Sequence, residues 1–318
     1  MQIFITDHIK ETTIESKFLD KFEVIFEEKF LEPDQVIGLL VWHETINEKY
    51  MNNFKNLKYI MRYGVGFDNI DIESARKRGI ICCNNPDYGV EEVSDSTLAM
   101  ILSITRGIHW FSINQKYKLD SWGSVPQITL KRSKATNIGI LGLGRIGSKT
   151  ALKLKECEFN VGFFDPYVYT GYQKVINCRE FENKEQLIRW SDVIVINTPL
   201  TKKTYGLIDK HFIDNMKKGA SIVNTARGEI FSKDNSYLYE AFKNKKIWTI
   251  ASDVWPNEPP FDDDKFITGI KNDPDLESRF IITPHIAYYS EESLIECREK
   301  AAKNLLNLLT TGKGKNIL

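Results

Sequence analysis

Asn137-Ile-Gly-Ile-Leu141-Gly142-Leu-Gly144-Arg145-Ile146-Gly147 decides how this 318-residue chain is read. Its first five residues are an apolar run of the kind that forms a strand buried on both faces of a parallel sheet. Three glycines spaced G-x-G-x-x-G follow at once. Residues 145–156 then place Ile146, Thr150, Ala151 and Leu154 on one helical face. A second apolar run, Val161-Gly-Phe-Phe164, ends in Asp165. Strand, glycine turn, helix, strand and acid, in that order, make a mononucleotide-binding unit. Its first glycine permits the turn, its second lets a pyrophosphate approach the backbone, and its third lets helix and strand pack closely. The phosphates rest on the positive end of the helix.

Asp165 chooses between the two nicotinamide cofactors. A carboxylate at the end of the second strand accepts hydrogen bonds from the ribose hydroxyls of NAD and repels a 2′-phosphate. Pro166, Tyr167, Val168 and Tyr169 bring no cation to offset that repulsion. The expected cofactor is NAD.

Outward from this unit, strand and helix signals alternate along the chain, which implies parallel sheets covered on both faces. Strands are expected near 2–6, 36–41, 58–62 and 80–83, and again at 192–197, 220–225, 248–253 and 280–283. The length suits two domains. A long helix from Val90 to about Phe111, with Val93, Thr97, Ile101 and Ile104 at helical spacing, is expected to bridge them. The loop Asp120-Ser-Trp-Gly-Ser-Val-Pro126 leads from it to the fingerprint. The last helix, from about Ser290 to Leu309, is expected to return to the first domain. The fold class is therefore α/β: two Rossmann-like or flavodoxin-like domains with an active-site cleft between them. A substrate-binding domain would occupy 1–100, completed by 288–318, and an NAD-binding Rossmann domain 101–287.

Composition narrows the function. Lys+Arg and Asp+Glu both number 43, so no net field draws nucleic acid or an anionic membrane. No apolar run is long enough to span a bilayer. The first residues read as a strand ending in a polar loop, not as a signal peptide. Cysteines 82, 83, 157, 178 and 297 show no metal spacing and read as reduced thiols of a cytoplasmic protein. No metal site is expected; Asp262-Asp-Asp264 reads as a solvated loop.

Three later residues, Arg227, Glu258 and His285, each follow an expected strand, where open α/β sheets place their sites. Oxidation of a 2-hydroxy acid sends a hydride from C2 to a nicotinamide while the hydroxyl loses a proton. An imidazole suits that proton transfer, and His285 is the candidate. Glu258 is its natural partner, orienting the ring and favouring its protonated form. Arg227 offers a fork of donors to the substrate's carboxylate or carbonyl oxygen. Gly64-Val-Gly66 can present backbone N–H groups to a carboxylate. His43 ends an early strand and is a substrate candidate, whereas His8, His109 and His211 read as surface or packing residues.

The chain also resembles the D-isomer-specific 2-hydroxyacid dehydrogenases over nearly its whole length. The matching segments are Arg62-Tyr-Gly-Val-Gly-Phe-Asp-Asn-Ile-Asp71, the glycine fingerprint, Asn224-Thr-Ala-Arg-Gly228, Asp253-Val-Trp-Pro-Asn-Glu-Pro259 and Thr283-Pro-His-Ile-Ala287. Within the family it is most similar to the C-terminal-binding-protein branch, through Val90-Glu-Glu-Val-Ser-Asp-Ser-Thr97, His43 and Tyr288-Tyr-Ser-Glu-Glu292. Tyr288 stands where that branch has Trp, and Ala135 replaces a usual glycine. The resemblance gives Arg227, Glu258 and His285 the roles just derived. It further implies cofactor contacts for Val65, Thr97, Gly142, Gly144, Arg145, Ile146, Gly147, Asp165, Thr198, Pro199, Thr204, Thr225, Ala226, Asp253 and His285. Substrate contacts are implied for His43, Arg62, Gly64, Val65, Gly66, Arg227 and Tyr288, with Trp255 flanking the pocket. The expected protein is an NAD-dependent homodimer acting on a small 2-oxo or 2-hydroxy acid, with no nucleic-acid or membrane partner. Alternatives are an NAD(H)-sensing corepressor-like binding protein and a phosphite-type dehydrogenase on the same fold. A formate enzyme would pair its histidine with glutamine, against Glu258.

Overall fold

The computed structural model of the chain describes residues 1–116, 122–123 and 128–318. These divide into two compact units, Met1–Gly89 with Tyr289–Leu318, and Val90–Tyr288.

Unit 1 is built on five parallel strands: β1 (Gln2–Ile5), β2 (Glu23–Ile25), β3 (Val36–Val41), β4 (Tyr59–Arg62) and β5 (Ile81–Cys83). They lie in the order β2-β1-β3-β4-β5. β3, Val-Ile-Gly-Leu-Leu-Val, is buried along its whole length, as a central strand covered on both faces must be. The helix Glu291–Thr311 returns to this unit and packs on β4 and on the helix Thr13–Phe18. Its Arg298 forks onto Glu15 at 2.6 and 2.8 Å and also bonds Glu11, while the Tyr63 hydroxyl donates to Glu15 at 2.7 Å. Glu15 and Tyr63 are fully buried and Arg298 nearly so. A charge this deep persists because both carboxylate oxygens and all three guanidinium nitrogens of the pair are met.

Unit 2 carries seven parallel strands: β6 (Asn137–Leu141), β7 (Asn160–Phe164), β8 (Arg179–Glu180), β9 (Val193–Ile196), β10 (Ala220–Asn224), β11 (Ile247–Ser252) and β12 (Phe280–Ile282). Their order, β12-β11-β10-β9-β6-β7-β8, reverses between β6 and β9. The crevice at the carboxyl ends of such a switch point is where open sheets bind ligands. One face of the sheet is covered by an aromatic-rich cluster including Phe212, Phe231, Phe242, Trp255, Phe266 and Phe280. The other buries Ile138, Ile140, Leu154, Phe163 and Val195 under the helices Val90–Thr105 and Arg145–Glu156.

The structure differs from expectation at definite points. β2 and β8 were not anticipated; both are edge strands of two or three residues, too short to show a run, and β8 is wholly exposed and charged. The long helix does not run to Phe111. It ends at Thr105, and Gly107, at φ +65°, starts a separate helix, Ile108–Gln115. Val90–Thr105 lies wholly in unit 2 and packs on Arg145–Glu156. Lys153 of the latter donates to Ser94 Oγ at 2.7 Å and Asp95 at 2.6 Å. The first break between units therefore falls at Gly89, ahead of residue 100. The expected loop at 120–126 lies largely outside the described residues.

Candidate functional site

The three fingerprint glycines do different work. Gly142 sits at φ +91°, and a Cβ there would lie 2.6 Å from Asn197 O at the end of β9. A Cβ on Gly147 would lie 2.1 Å from Gly142 O. Gly144 is unlike either. Its φ is an ordinary −69°, and a Cβ would meet nothing within 4 Å. Nothing among the described residues fills the space beside it, which leaves this position open to a ligand. The helix that begins at Arg145 has no side-chain cap, which leaves its first N–H groups available to an anion. Asp165 accepts from Leu143 N at 2.7 Å and from Tyr167 N at 2.8 Å, so the acid is tethered to the glycine turn. Exposed Gly144 and Arg145, uncapped amides and an acid at the second strand's end fit the pyrophosphate and ribose of a dinucleotide.

β10, β11 and β12 are neighbours, and the loops after them carry Arg227, Glu258 and His285. The Nδ1 atom of His285 is 2.6 Å from Glu258 Oε2, and Glu258 Oε1 accepts from Trp255 N at 3.1 Å. Burial opposes ionisation of Glu258. The hydrogen bond and charge of His285, the Trp255 N–H and the charge of Arg227 outweigh it and hold the carboxyl below its ordinary value. Arg227 is thus close enough to act on Glu258. Its Nη1 donates to Ala226 O at 2.8 Å, and Asn224 Nδ2 donates to Arg227 O at 2.9 Å. A Cβ on Gly228 would come within 2.0 Å of Trp255 C and O, so backbone rests on backbone between the Arg227 and Glu258 loops.

His285 stands at φ +54°, a left-handed conformation rare outside glycine. Asp253 holds it there. Its backbone O accepts from His285 N at 2.7 Å, and its carboxylate accepts from Thr283 Oγ1 (2.5 Å), Ile286 N (3.0 Å) and Ala287 N (2.9 Å). Asp253 was expected to hold the nicotinamide or its ribose. It is 2% exposed, and its carboxylate already accepts from the histidine loop. Thr97, another expected cofactor contact, is fully buried. Its hydroxyl meets Val93 O at 2.7 Å and Thr225 Oγ1 at 2.9 Å, so it supports Thr225 from behind. Thr204 Oγ1 turns back onto Pro199 O at 2.6 Å and shapes the loop after β9 that also carries Thr198. Trp255, expected to flank the pocket, is buried. Its ring lies in the core against Phe231, Phe266 and Phe280, with Nε1 donating to Asp264 at 2.9 Å. Asp264 in turn caps the helix Lys265–Lys271, so one member of the acidic tract is structural. Tyr288 is half-buried at the end of unit 2.

In unit 1, His43 is exposed at the end of β3, with its N–H on Asp7 Oδ2 (2.5 Å) and its ring Nδ1 3.7 Å from the same oxygen. His8, read from sequence as ordinary, stacks on Trp42 at 5.1 Å and meets His43 edge-on at 5.3 Å. Arg62 Nη1 reaches Val41 O at 3.4 Å. A Cβ on Gly64 would lie 2.9 Å from the Arg62 guanidinium, the movable end of a flexible side chain, and neither Gly64 nor Gly66 has the positive φ of a tight glycine turn.

Residues 98–287 match the family model described as the D-isomer specific 2-hydroxyacid dehydrogenase, NAD binding domain. The chain is 34% identical over 272 residues to a D-3-phosphoglycerate dehydrogenase of Bacillus subtilis, covering 85% of this chain and 49% of that protein. It belongs to the D-isomer specific 2-hydroxyacid dehydrogenase family. A D-3-phosphoglycerate dehydrogenase of Archaeoglobus fulgidus is 31% identical over 315 residues, 97% of this chain and 57% of that one. The chain thus spans about half the length of these curated relatives. Among solved structures, a D-lactate dehydrogenase from Aquifex aeolicus complexed with NAD and lactic acid superposes with a TM-score of 0.85 at 26% identity, covering 98% of this chain and 96% of that one. Unit 2 accordingly corresponds to the family's NAD binding domain.

Proposed function

We propose that the chain is an NAD-dependent dehydrogenase interconverting a small D-2-hydroxy acid and its 2-oxo acid. The observation that carries this is the 2.6 Å His285–Glu258 pair, with Arg227 close enough to bias it, at three adjacent strand ends beside a dinucleotide fingerprint. Bound NADH supplies the hydride. Glu258, held ionised, orients the ring through Nδ1 and leaves Nε2 to give a proton to the carbonyl oxygen in reduction, or to take it back in oxidation. Arg227 donates to the substrate's oxygens and polarises C2. His43, Arg62 and the amides of Gly64, Val65 and Gly66 receive the acid's carboxylate and side chain, and Tyr288 contributes to selecting that side chain.

We assign it to the cytoplasm, a reading supported by five free thiols. A homodimer is supported by the helix Ile108–Gln115, which buries none of its residues among the described part of the chain although Ile108, Trp110, Phe111 and Ile113 lie on it. Sedimentation equilibrium at the monomer mass overturns that assignment. Among the described residues no helix is long and apolar enough to cross a membrane.

The test of the activity is a panel of 2-oxo acids assayed with NADH. His285→Ala should lose roughly a hundredfold or more in turnover. Arg227→Ala should lose substrate affinity as well. Both should bind NADH like the parent by fluorescence titration. A parent that binds NADH but reduces nothing in the panel favours the NAD(H)-sensing reading, and two active variants show the site to be wrongly assigned.

A further inference from the structure

Three successive carbonyls of the loop after β4 are taken by donors from elsewhere in unit 1. The Cys297 thiol donates to Tyr63 O at 3.1 Å, the Asn85 backbone N–H to Gly64 O at 3.2 Å, and the Asn84 side-chain amide to Val65 O at 2.6 Å. These donors are fixed in their turn. Asn85 Nδ2 donates to Cys297 O at 2.8 Å, and Asn84 N donates to Asn316 O at 3.3 Å. All three residues are buried. Burial pushes the Cys297 thiol up to about 12, which keeps it an S–H donor.

A trans peptide is planar, with its C=O and the following N–H pointing to opposite sides. Holding Tyr63 O therefore aims the N–H of Gly64, holding Gly64 O aims that of Val65, and holding Val65 O aims that of Gly66. None of these three N–H groups donates to a described residue. Buried or half-buried donors left open in this way are uncommon unless they serve a ligand or water. The Arg62 guanidinium lies against Gly64, 2.9 Å from where a Cβ would be, so the open amides lie beside a cation.

We propose that Asn84, Asn85 and Cys297 are positioning residues that set the directions of the Gly64, Val65 and Gly66 amides for an incoming carboxylate. The proposal rests on the 2-oxo acid activity argued above and names what prepares its carboxylate site. Because the carbonyls are already held, binding an anion orders little further backbone, and the loss on removing a holder falls on substrate affinity.

The test uses Asn84→Asp, which is nearly isosteric but sets an acceptor against Val65 O. KM for the best 2-oxo acid should rise roughly tenfold, with kcat changed by no more than about twofold. NADH affinity should match the parent. Cys297→Ala should raise KM, and Cys297→Ser, which keeps a donor, should restore it. A second arm needs no turnover. Oxalate should slow hydrogen exchange in peptides spanning residues 64–66 of the parent, and should slow it much less in Asn84→Asp. Parent-like KM in Asn84→Asp, or equal oxalate protection in the two proteins, overturns the proposal. A parent that reduces no 2-oxo acid refutes the activity, and the oxalate arm then decides alone: an unprotected loop in the parent refutes the positioning role too.

Discussion

Alanine placed at each fingerprint glycine should give three separable outcomes, although the motif treats them alike. Gly144→Ala adds a methyl that touches nothing within 4 Å at a φ of −69° that any residue adopts. Stability should be unchanged or should rise by about 0.4–1 kcal/mol through the unfolded chain. Affinity should behave oppositely. The methyl occupies the approach to the helix amides, and losing one charge-assisted hydrogen bond of about 1.5–3 kcal/mol weakens NADH binding roughly tenfold or more. Gly147→Ala drives Cβ to 2.1 Å from Gly142 O, backbone that cannot swing away. Overpacking of this kind costs about 1–3 kcal/mol, and Tm should fall by about 2–4 °C for each. Gly142→Ala combines a 2.6 Å approach to Asn197 O with φ +91°, so strain of about 1–2 kcal/mol adds to the clash. Thermal melts and NADH fluorescence titrations on the three variants suffice. If Gly144→Ala melts as low as Gly147→Ala, or binds NADH as the parent does, the reading of Gly144 as a ligand-facing glycine is refuted.

Asp165→Ala should narrow the preference for NADH over NADPH, and should also weaken NADH itself, because the same carboxylate tethers Leu143 N and Tyr167 N; calorimetry showing equal affinities in the parent would refute the NAD assignment. For Glu258 the folded carboxyl titrates below its ordinary value of 4.5. Its contribution to stability is therefore full above pH 4.5 and is lost as pH falls through the lower folded value, so Glu258→Gln should flatten the acid side of a stability–pH curve. The same variant should shift the pH profile of reduction to lower pH, since the charge facing the imidazolium is gone; an unmoved profile would mean that Glu258 does not act on His285.

Long buried strands were plain in the sequence because continuous apolar runs such as Val36–Val41 and Val193–Ile196 have no other use in a chain of this composition. The edge strands β2 and β8 were not: Arg179–Glu180, for example, is charged and half of its hydrogen bonding faces solvent. The catalytic candidates could be located because each follows such a run, and sheet topology then sets neighbouring strand ends side by side. What sequence could not show was which motif residues face inward. Trp255 and Glu258 are close in one motif, yet the ring enters the aromatic core while the acid meets His285. Asp253 and Thr97 were read as ligand contacts because they are polar in the right motifs; that both also bond within the protein could not be seen from those motifs. Arg298 and Glu15 are far apart in the chain, and only the fold shows that one answers the other.

The contact of Gly228 with Trp255 bears on how this enzyme class can be redesigned. With no side chain between them, residues 225–228 and 255–258 act as one cassette, and any shift of the first carries the second. Exchanging only the proline-rich loop around Glu258 for one from a relative would disturb the Arg227 segment through that contact, misaligning together the two groups proposed to hold the substrate and to steer the imidazole. Transplanting both segments as a pair, with Gly228 included, would move the chemistry intact and leave the new substrate preference to be set elsewhere.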